Sequence, residues 1–459
     1  MNVNRCSLFA FSHRLRLWAF VGIAILAAVA APARAATDAR PNIIFILTDD
    51  MGYGDLACYG GKLVPTPNID RMAREGTRFT QFYVGSPICS PSRTACLTGM
   101  YPARWRITSF LQTRAGNRAC EQDDFLDPGA PSIARTLKEA GYATAHIGKW
   151  HMGGGRDVTN APPFAAYGFD EHASTYESPE PHPDITATNW IWSPQDKVKR
   201  WDRTGFFVDK TLDFLRRNKG RPCFVNLWPD DPHTPWVPKG SEEQRKMPET
   251  EEYLAPVLAE LDHQVGRLLA GLKELGLDES TLVIFTSDNG ALPTFESARN
   301  GGLRGSKLSL YDGGIRMPFI ARWPGSTPAG RVNETSVFNA VDLFPSFCAL
   351  AKAPLPRDHK LDGEDLSAVF FGKNKSRSQP MLWEYGRNNK SFRYPPQDRS
   401  PNVAIREGKW KLLVNADGSG AELYNLANDP RETINLADKN KKITRRLSSQ
   451  ALAWRQSVP

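Results

Sequence analysis

The chain has 459 residues, of which 41% are hydrophobic and 24% charged, a mixture long enough for one large globular domain and a smaller companion. Its formal net charge is +8, but the first 35 residues hold Arg5, Arg14, Arg16 and Arg34 with no acidic residue, so the remainder carries only +4. That modest excess argues against a nucleic-acid binder and fits either an anionic small substrate or simple solubility.

The N-terminus reads as a signal peptide. Arg14 and Arg16 precede an apolar run from Leu17 to Ala30, and Ala33-Arg34-Ala35 offers small residues at a cleavage site. The expectation is a signal over residues 1–35, a mature chain from Ala36, and export to the periplasm or medium, an uncleaved anchor being the alternative. The run is shorter than the roughly 20 apolar residues of a spanning helix, and no later stretch replaces it, so no membrane span is expected after cleavage. Export permits disulfides. However, Cys58, Cys89, Cys96, Cys120, Cys223 and Cys348 are sparse and show no metal-ligand spacing, and their pairing stays open.

The coarse organisation is α/β. Asn42 to Leu47 is a continuous isoleucine-rich run, the pattern of a strand buried on both faces. Thr66-Pro67 opens a helix that Gly76 ends. Pro131 to Ala140 repeats the pattern before Gly141, and Ala143 to Ile147 follows as a strand. Phe207 to Arg217 reads as a helix and Cys223 to Leu227 as a strand. Leu254, Leu258, Leu261, Val265, Leu268 and Leu272 recur at helical spacing, and Leu282 to Phe285 is another buried strand. Such alternation implies a large, mostly parallel sheet sandwiched by helices. Residues Met152 to Asp202 show little periodicity and carry Trp190, Trp192 and Trp201, a long irregular segment of the kind that serves function. Polar Lys373 to Pro380 reads as a linker. Beyond it, Val403 to Ile405, Lys409 to Val414 and Glu422 to Leu426 read as short strands, Asp417-Gly418 as a turn, and the chain ends in a polar helix. The expected division is a catalytic α/β domain over 36–375 and a small antiparallel C-terminal α+β subdomain over 376–459.

Two of the strands end in carboxylates. Asp49 and Asp50 follow Leu47-Thr48, and Asp288 and Asn289 follow Thr286-Ser287. In an open parallel sheet ligands bind beyond the carboxyl ends of the strands. Three carboxylates gathered there would repel one another without a cation, and oxygen donors favour Ca²⁺ or Mg²⁺ over zinc. Taken alone, each pair is a weak signal that reads first as loop residues or caps. Cys89-Ser90-Pro91-Ser92-Arg93 is the third element. Pro91 suits the first turn of a helix, which places Cys89 at an anion-favouring N-terminus with Arg93 one turn on.

The whole run from Cys89 to Gly99 resembles the modification signal of the type I, formylglycine-dependent sulfatases of the alkaline phosphatase superfamily, and the resemblance covers nearly the whole mature chain. Asn42 to Asp50 with Gly52-Tyr53-Gly54-Asp55 is similar to the opening metal motif of that family. Gly148-Lys149-Trp150-His151-Met152-Gly153 resembles the second signature, with Met152 where leucine is usual. Pro232-His233-Thr234-Pro235, Ser287-Asp288-Asn289-Gly290 and Leu303-Arg304-Gly305-Ser306-Lys307 resemble later motifs. So do Asp312-Gly313-Gly314-Ile315-Arg316 and Glu422 to Leu426.

The resemblance implies an alkaline-phosphatase-like fold and a sulfuric ester hydrolase of the arylsulfatase or N-acetylgalactosamine-6-sulfatase type. It implies that a formylglycine-generating maturation enzyme converts Cys89 to 3-oxoalanine, whose hydrate attacks sulfur through one hydroxyl and eliminates sulfate through the other. It further implies one Ca²⁺ held by Asp49, Asp50, Asp288, Asn289 and the residue-89 oxygen, with Mg²⁺ as the alternative. Arg93 and Lys149 are then expected to stabilise that oxygen, His151 to partner its second hydroxyl, Lys307 to bind the sulfate, and His233 to protonate the leaving group. Asp312 and Arg316 fit a structural ion pair as well as a substrate contact. A phosphate or phosphonate ester hydrolase of the same superfamily is the alternative activity, and a polysaccharide-binding protein using Trp190 and Trp192 is the non-catalytic one. The expected partner is a sulfated small molecule or saccharide, with specificity in Met152 to Asp202, Ala291 to Gly302 and Arg387 to Ser400, the last including Arg393 and Tyr394.

Overall fold

The structure is a computed structural model that describes residues 40–241, 247–388, 390 and 399–459. The expected signal segment, and Arg393 and Tyr394, lie outside the described residues. No described helix is long and apolar enough to cross a membrane.

The first half of the chain alternates strands and helices: β1 (Asn42–Thr48), α1 (Pro67–Glu75), β2 (Thr77–Tyr83), α2 (Cys89–Thr98), α3 (Arg114–Ala119), α4 (Ile133–Glu139) and β3 (Ala143–Gly148). It continues through β4 (Glu171–Ser174), α5 (Arg203–Arg217), β5 (Cys223–Trp228), α6 (Glu251–Glu274) and β6 (Thr281–Ser287). Next come α7 (Asp312–Ile315), β7 (Arg316–Arg322), β8 (Arg331–Asn333), β9 (Phe338–Asn339) and α8 (Leu343–Ala351). The last part is β10 (Met381–Glu384), β11 (Val403–Glu407), β12 (Trp410–Val414), β13 (Glu422–Asn425) and α9 (Lys441–Ser457).

The first nine strands form one sheet in the order β4-β3-β5-β1-β6-β7-β2-β8, with β9 also on β2. β1 lies at its centre, parallel to β5 on one side and β6 on the other. A strand's side chains point alternately to opposite faces. In β1, Ile43, Phe45 and Leu47 enter one core with residues of α2, α4 and α8, while Ile44 and Ile46 enter the other with α1, α5 and α6. Both faces are covered, which is why the run is apolar without alternation. β7 is antiparallel to both β6 and β2, so the sheet is mixed at that side.

The last four strands form a separate antiparallel sheet, β10-β11-β12-β13. Val403, Ile405, Leu412, Val414 and Leu423 pack against Leu447 and Ala451 of α9, while Trp383, Ala404, Leu413 and Tyr424 join the core under the main sheet. The small sheet is thus itself covered on both faces. Residues 373–380 are not a free connector. Arg377 pairs with Asp342, and the Ser378 and Gln379 amides donate to Glu364.

Two expectations from α1 and the cysteines are refined. Thr66 precedes α1, but its side chain does not cap the helix; its hydroxyl donates to Asp70 Oδ1 at 3.0 Å and accepts from the Ala57 amide. No two of the six described cysteines are bridged to each other.

Candidate active site

The strands β1 and β6 run side by side in register from Asn42 opposite Thr281 to Thr48 opposite Ser287, so Asp49-Asp50 and Asp288-Asn289 emerge together. The backbone locks the join: the Asp288 amide donates to Thr48 O at 3.0 Å, and the Asp50 amide to Asp288 Oδ1 at 3.2 Å. Gly290 must be glycine, because a Cβ there would meet Gly313 O at 2.0 Å. Cys89 is the first residue of α2, whose N-terminus has no side-chain cap, and Pro91 sits in the first turn. Strand β3 delivers Lys149 immediately past its end, and the loop after β5 delivers His233.

These side chains interlock. Lys149 Nζ lies 2.7 Å from Asp49 Oδ2 and 3.6 Å from Cys89 Sγ, which itself lies 3.4 Å from Asp49 Oδ1. Arg93 grips Asp288 Oδ2 through Nε at 3.0 Å and Nη2 at 2.7 Å, and is 3.4 Å from Asp49 Oδ1. Lys307 Nζ is 2.5 Å from Asp50 Oδ2, Asn289 Nδ2 donates to Asp50 Oδ1 at 2.7 Å, and His233 Nε2 is 3.6 Å from Asp50 Oδ2. Ligand atoms of Asp49, Asp50, Cys89 and His233 lie within 4.8 Å of one another. All but His233 are almost completely buried.

The three carboxylates also have cationic neighbours within the chain. Asp49, Asp50 and Asp288 face Lys149, Lys307 and Arg93, so the chain matches the charges itself. What points to an ion is different: Asn289 Oδ1 is buried with no partner, beside converging carboxylate oxygens. An orphaned buried acceptor is costly unless something completes it, and the carboxylate and amide oxygens, beside the Cys89 sulfur and the His233 nitrogen, suit a hard cation.

Burial and charge set the protonation. Burial raises Asp49, but Lys149, His233, Arg93 and Lys307 outweigh it and hold it well below the usual carboxylate range. Burial pushes Asp288 up to about 7 against Arg93. Burial likewise holds the Cys89 thiol protonated, well above an ordinary cysteine, despite Lys149 and Lys307. An unmodified Cys89 is therefore a poor nucleophile where it stands. Burial lowers His233 from its ordinary value, partly opposed by Asp49 and Asp50. The short contact of 2.6 Å from His233 Nδ1 to Thr234 O places the proton of the neutral ring on Nδ1 and leaves Nε2 turned to the cluster.

The other expected residues are spread around this centre. His151, at φ 52°, joins no hydrogen bond to Cys89 among the described residues; its Nε2 is 3.1 Å from Leu111 O and 3.3 Å from Glu177 Oε2. Its Nδ1 is buried without a partner, and burial lowers the ring to about 3, so it is neutral. Asp312 and Arg316 stand apart, 3.6 Å from each other, with Asp312 bound to Lys411 at 2.7 Å, which is the ion-pair alternative. Trp192 is only 3% exposed and offers no stacking face, whereas Trp190 is half-buried beside Tyr176 and the Arg156 guanidinium. Arg387 is paired with Glu384.

Three supports had no local signal in the sequence. Glu177 touches His151 and lines a small cleft with Asp49, Lys149 and His233. Arg200 holds the His233 loop through Asp231 at 2.7 Å, Asp230 O and His233 O. Arg299 binds Asp55 at 2.8 Å and Asp50 O, fixing the loop after β1. Each is an isolated charge whose partner lies far along the chain; the adjacent Asp230-Asp231 before Pro232-His233 was the one available hint.

Comparison with known proteins bears on this arrangement. Residues 41–353 match the family model described as Sulfatase, and residues 306–457 match one described as N-sulphoglucosamine sulphohydrolase, C-terminal. The chain is 30% identical to an N-acetylgalactosamine-6-O-sulfatase of Bacteroides thetaiotaomicron over 89% of its own length and 92% of the relative's. It is 31% identical to human arylsulfatase A, over 86% and 83%. The solved structure of Ps i-CgsB with k-i-k-neocarrahexaose superposes with a TM-score of 0.74 at 28% identity, covering 92% of this chain and 94% of that one. A phosphonate monoester hydrolase of Agrobacterium radiobacter, at 21% identity and a TM-score of 0.64, shares the fold.

Proposed function

The chain belongs to the sulfatase family and is a sulfatase, and from that premise we propose that it hydrolyses the sulfate ester of a sulfated saccharide at residue 89. The observation that carries this reading is the convergence of Asp49, Asp50, Cys89 and His233 within 4.8 Å, walled by Lys149, Lys307 and Arg93. A site that gathers cations beside buried oxygen donors suits an anionic ester and a hard metal ion. The relatives named N-acetylgalactosamine-6-sulfatase, and the fold neighbour solved with k-i-k-neocarrahexaose, support a sugar sulfate as substrate.

In this reading the chain is exported through residues 1–35, and a maturation enzyme converts Cys89 to formylglycine. Asp49, Asp50, Asp288 and Asn289 hold one Ca²⁺, with Asn289 Oδ1 finding in it the partner it lacks. Together the aldehyde and the ion supply an activated oxygen nucleophile and a Lewis acid beside it. The remaining work falls to the chain's own side chains. Lys149, 3.6 Å from the Cys89 sulfur, and Arg93, whose charge also acts on residue 89, favour an anionic oxygen there. Lys307 Nζ binds a sulfate oxygen, exchanging part of its contact with Asp50. His233, anchored through Nδ1 on Thr234 O, presents Nε2 to the leaving alcohol oxygen and protonates it from the imidazolium form, which the Asp49 and Asp50 charges favour. His151, held by Glu177, orients the residue-89 group. The domain limits of 36–375 and 376–459 belong to the same reading, the second unit being the small sheet with α9.

The test is peptide mass spectrometry of residue 89, run on the same preparation as turnover assays with matched aryl sulfate, aryl phosphodiester and defined sulfated sugars. Aldehyde at residue 89 and faster sulfate turnover are expected. Full activity with unmodified Cys89 would sink the nucleophile, and faster phosphodiester turnover would sink the substrate class.

A further inference from the structure

A second basic feature lies away from the acidic site. A cleft of about 440 Å³ runs between the end of β2 and β7 and the β11–β12 hairpin, and shares no lining residue with that site. Arg316, Arg377, Arg406 and Lys409 line it, and no acidic residue does. Two of these charges are answered from behind: Arg377 by Asp342 and Glu364, and Arg316 by Asp312. Arg406 is not. It is 4% exposed, donates to Gly408 O and Gln81 Oε1, and lies 4.7 Å over the Tyr83 ring, yet has no carboxylate partner among the described residues. Its Nη1 bonds nothing. Asp312 feels its charge but is already matched by Lys411 at 2.7 Å. A buried guanidinium without a counter-charge is unfavourable, and an anion in the adjoining cleft offsets that.

An independent observation extends the patch. Helix α9 opens with Lys441, Lys442, Arg445 and Arg446, all exposed, and has no acidic residue in its first turn. The N-terminus is the positive end of a helix and prefers acids, so this composition works against the helix itself. An external polyanion gives it a purpose. The two features meet: Arg446 Nη1 donates to Glu407 Oε1 at 3.0 Å, next to the Gly408-Lys409 turn that rims the cleft. Lys442 is one turn before Arg446, on the same face.

We propose that this cleft and the start of α9 form a second binding site, distinct from the acidic site, for the sulfate and carboxylate groups of a polyanionic saccharide chain. Its occupant rests on the saccharide reading above; its charge rests on these residues alone. Such a site would hold a long substrate while one ester is cleaved elsewhere.

The first test is a soak of wild-type crystals in sodium selenate, a sulfate analogue located by its anomalous scattering. A selenium peak in the cleft is expected, lost in Arg406→Gln and weakened in Lys409→Ser, whose exposed side chain can be removed without disturbing the core. The second is the affinity of a chondroitin-6-sulfate octasaccharide. The double variant Lys409→Ser/Lys442→Ser should bind it about three- to tenfold more weakly, with nitrophenyl sulfate turnover unchanged. An empty cleft in the soaked wild type overturns the anion site. Selenate in the cleft with undiminished octasaccharide affinity in the double variant overturns the saccharide track. Wild-type protein that fails to turn over nitrophenyl sulfate would count against the sulfatase site, while both binding results would stand.

Discussion

Two of the buried ion clusters among the described residues are similar in make-up and different in character. At the ends of β1 and β6, three carboxylates face Arg93, Lys149 and Lys307. Between the two sheets, Asp312 and Glu432 face Lys411, at 2.7 Å and 2.8 Å, with Arg316 and the Tyr83 hydroxyl on Asp312. Charge balance therefore does not tell a site from a strut. The first cluster meets a cleft and leaves Asn289 Oδ1 without a partner. In the second, Asp312, Lys411 and Glu432 line none of the clefts described above, although Arg316 at its edge does, and the cluster joins two elements: Asp312 comes from α7 beneath the main sheet, Lys411 from β12 of the small one. An unfinished donor set and access mark chemistry; closure marks structure.

If that contrast is right, substitution should separate activity from stability. The largest effect is expected at Cys89. Cys89→Ala should lower sulfate-ester turnover by on the order of 10⁴-fold or more while leaving the melting temperature near that of wild type. Unfolding of the variant in step with its lost activity would erase the distinction. Exhaustive chelation should act in the same direction. Because the apo cluster is balanced by its own lysines and arginine, circular dichroism should stay native, and added Ca²⁺ should restore turnover.

His233 should lose activity selectively. A sugar alkoxide leaves poorly without a proton, whereas nitrophenolate does not. His233→Ala should therefore slow a sugar sulfate on the order of 10²–10⁴-fold more than nitrophenyl sulfate. Equal losses on both esters would move His233 to sulfate binding and leave Lys307 as the proton donor to be tested. In the closed cluster the order reverses. Lys411→Met strips the cation from two buried carboxylates and should cost about 3–5 kcal/mol of stability in a denaturant titration. The kcat of whatever protein remains folded should be little changed.

The sequence was most informative where short-range pattern and tertiary role coincide. The apolar run of β1 needs both faces covered, and the motif residues at the ends of β1, β3, β6 and the start of α2 do converge. It was least informative where partners are distant. β7 carries Arg316 and Pro318 inside an apolar run, and its antiparallel place depends on β2 and β6 closing around it. Lys411 sits in a strand where alternation alone cannot say that its charge is buried against Asp312, 99 residues away. Glu177 had no neighbouring motif residue, and the linker reading of 373–380 failed because Arg377 finds Asp342 across the fold. Trp192 looked like a stacking platform by residue type, but its burial decides otherwise.

The smallest expected effect probes the closed cluster by pH. Burial pushes Glu432 up to about 7; Lys411 opposes this, and the Asp312 charge adds to it. Arg316, Arg406 and the Tyr83 hydroxyl also face Asp312. An acid whose folded value lies above its unfolded one binds more protons in the native state. Its contribution to stability is therefore largest in acid and is lost as pH rises from the unfolded carboxylate range through about 7. Glu432→Gln removes that proton without removing the acceptor for the Asp312 amide, which lies 2.7 Å from Glu432 Oε2. The variant should thus show a flatter stability-against-pH curve between about pH 5 and 8, the change across that window amounting to roughly 2 kcal/mol. A curve parallel to wild type would mean that Glu432 is already ionised in the native protein at pH 5. The Asp312–Lys411–Glu432 cluster would then carry a net negative charge, and would need the nearby arginines, not its own geometry, to close it.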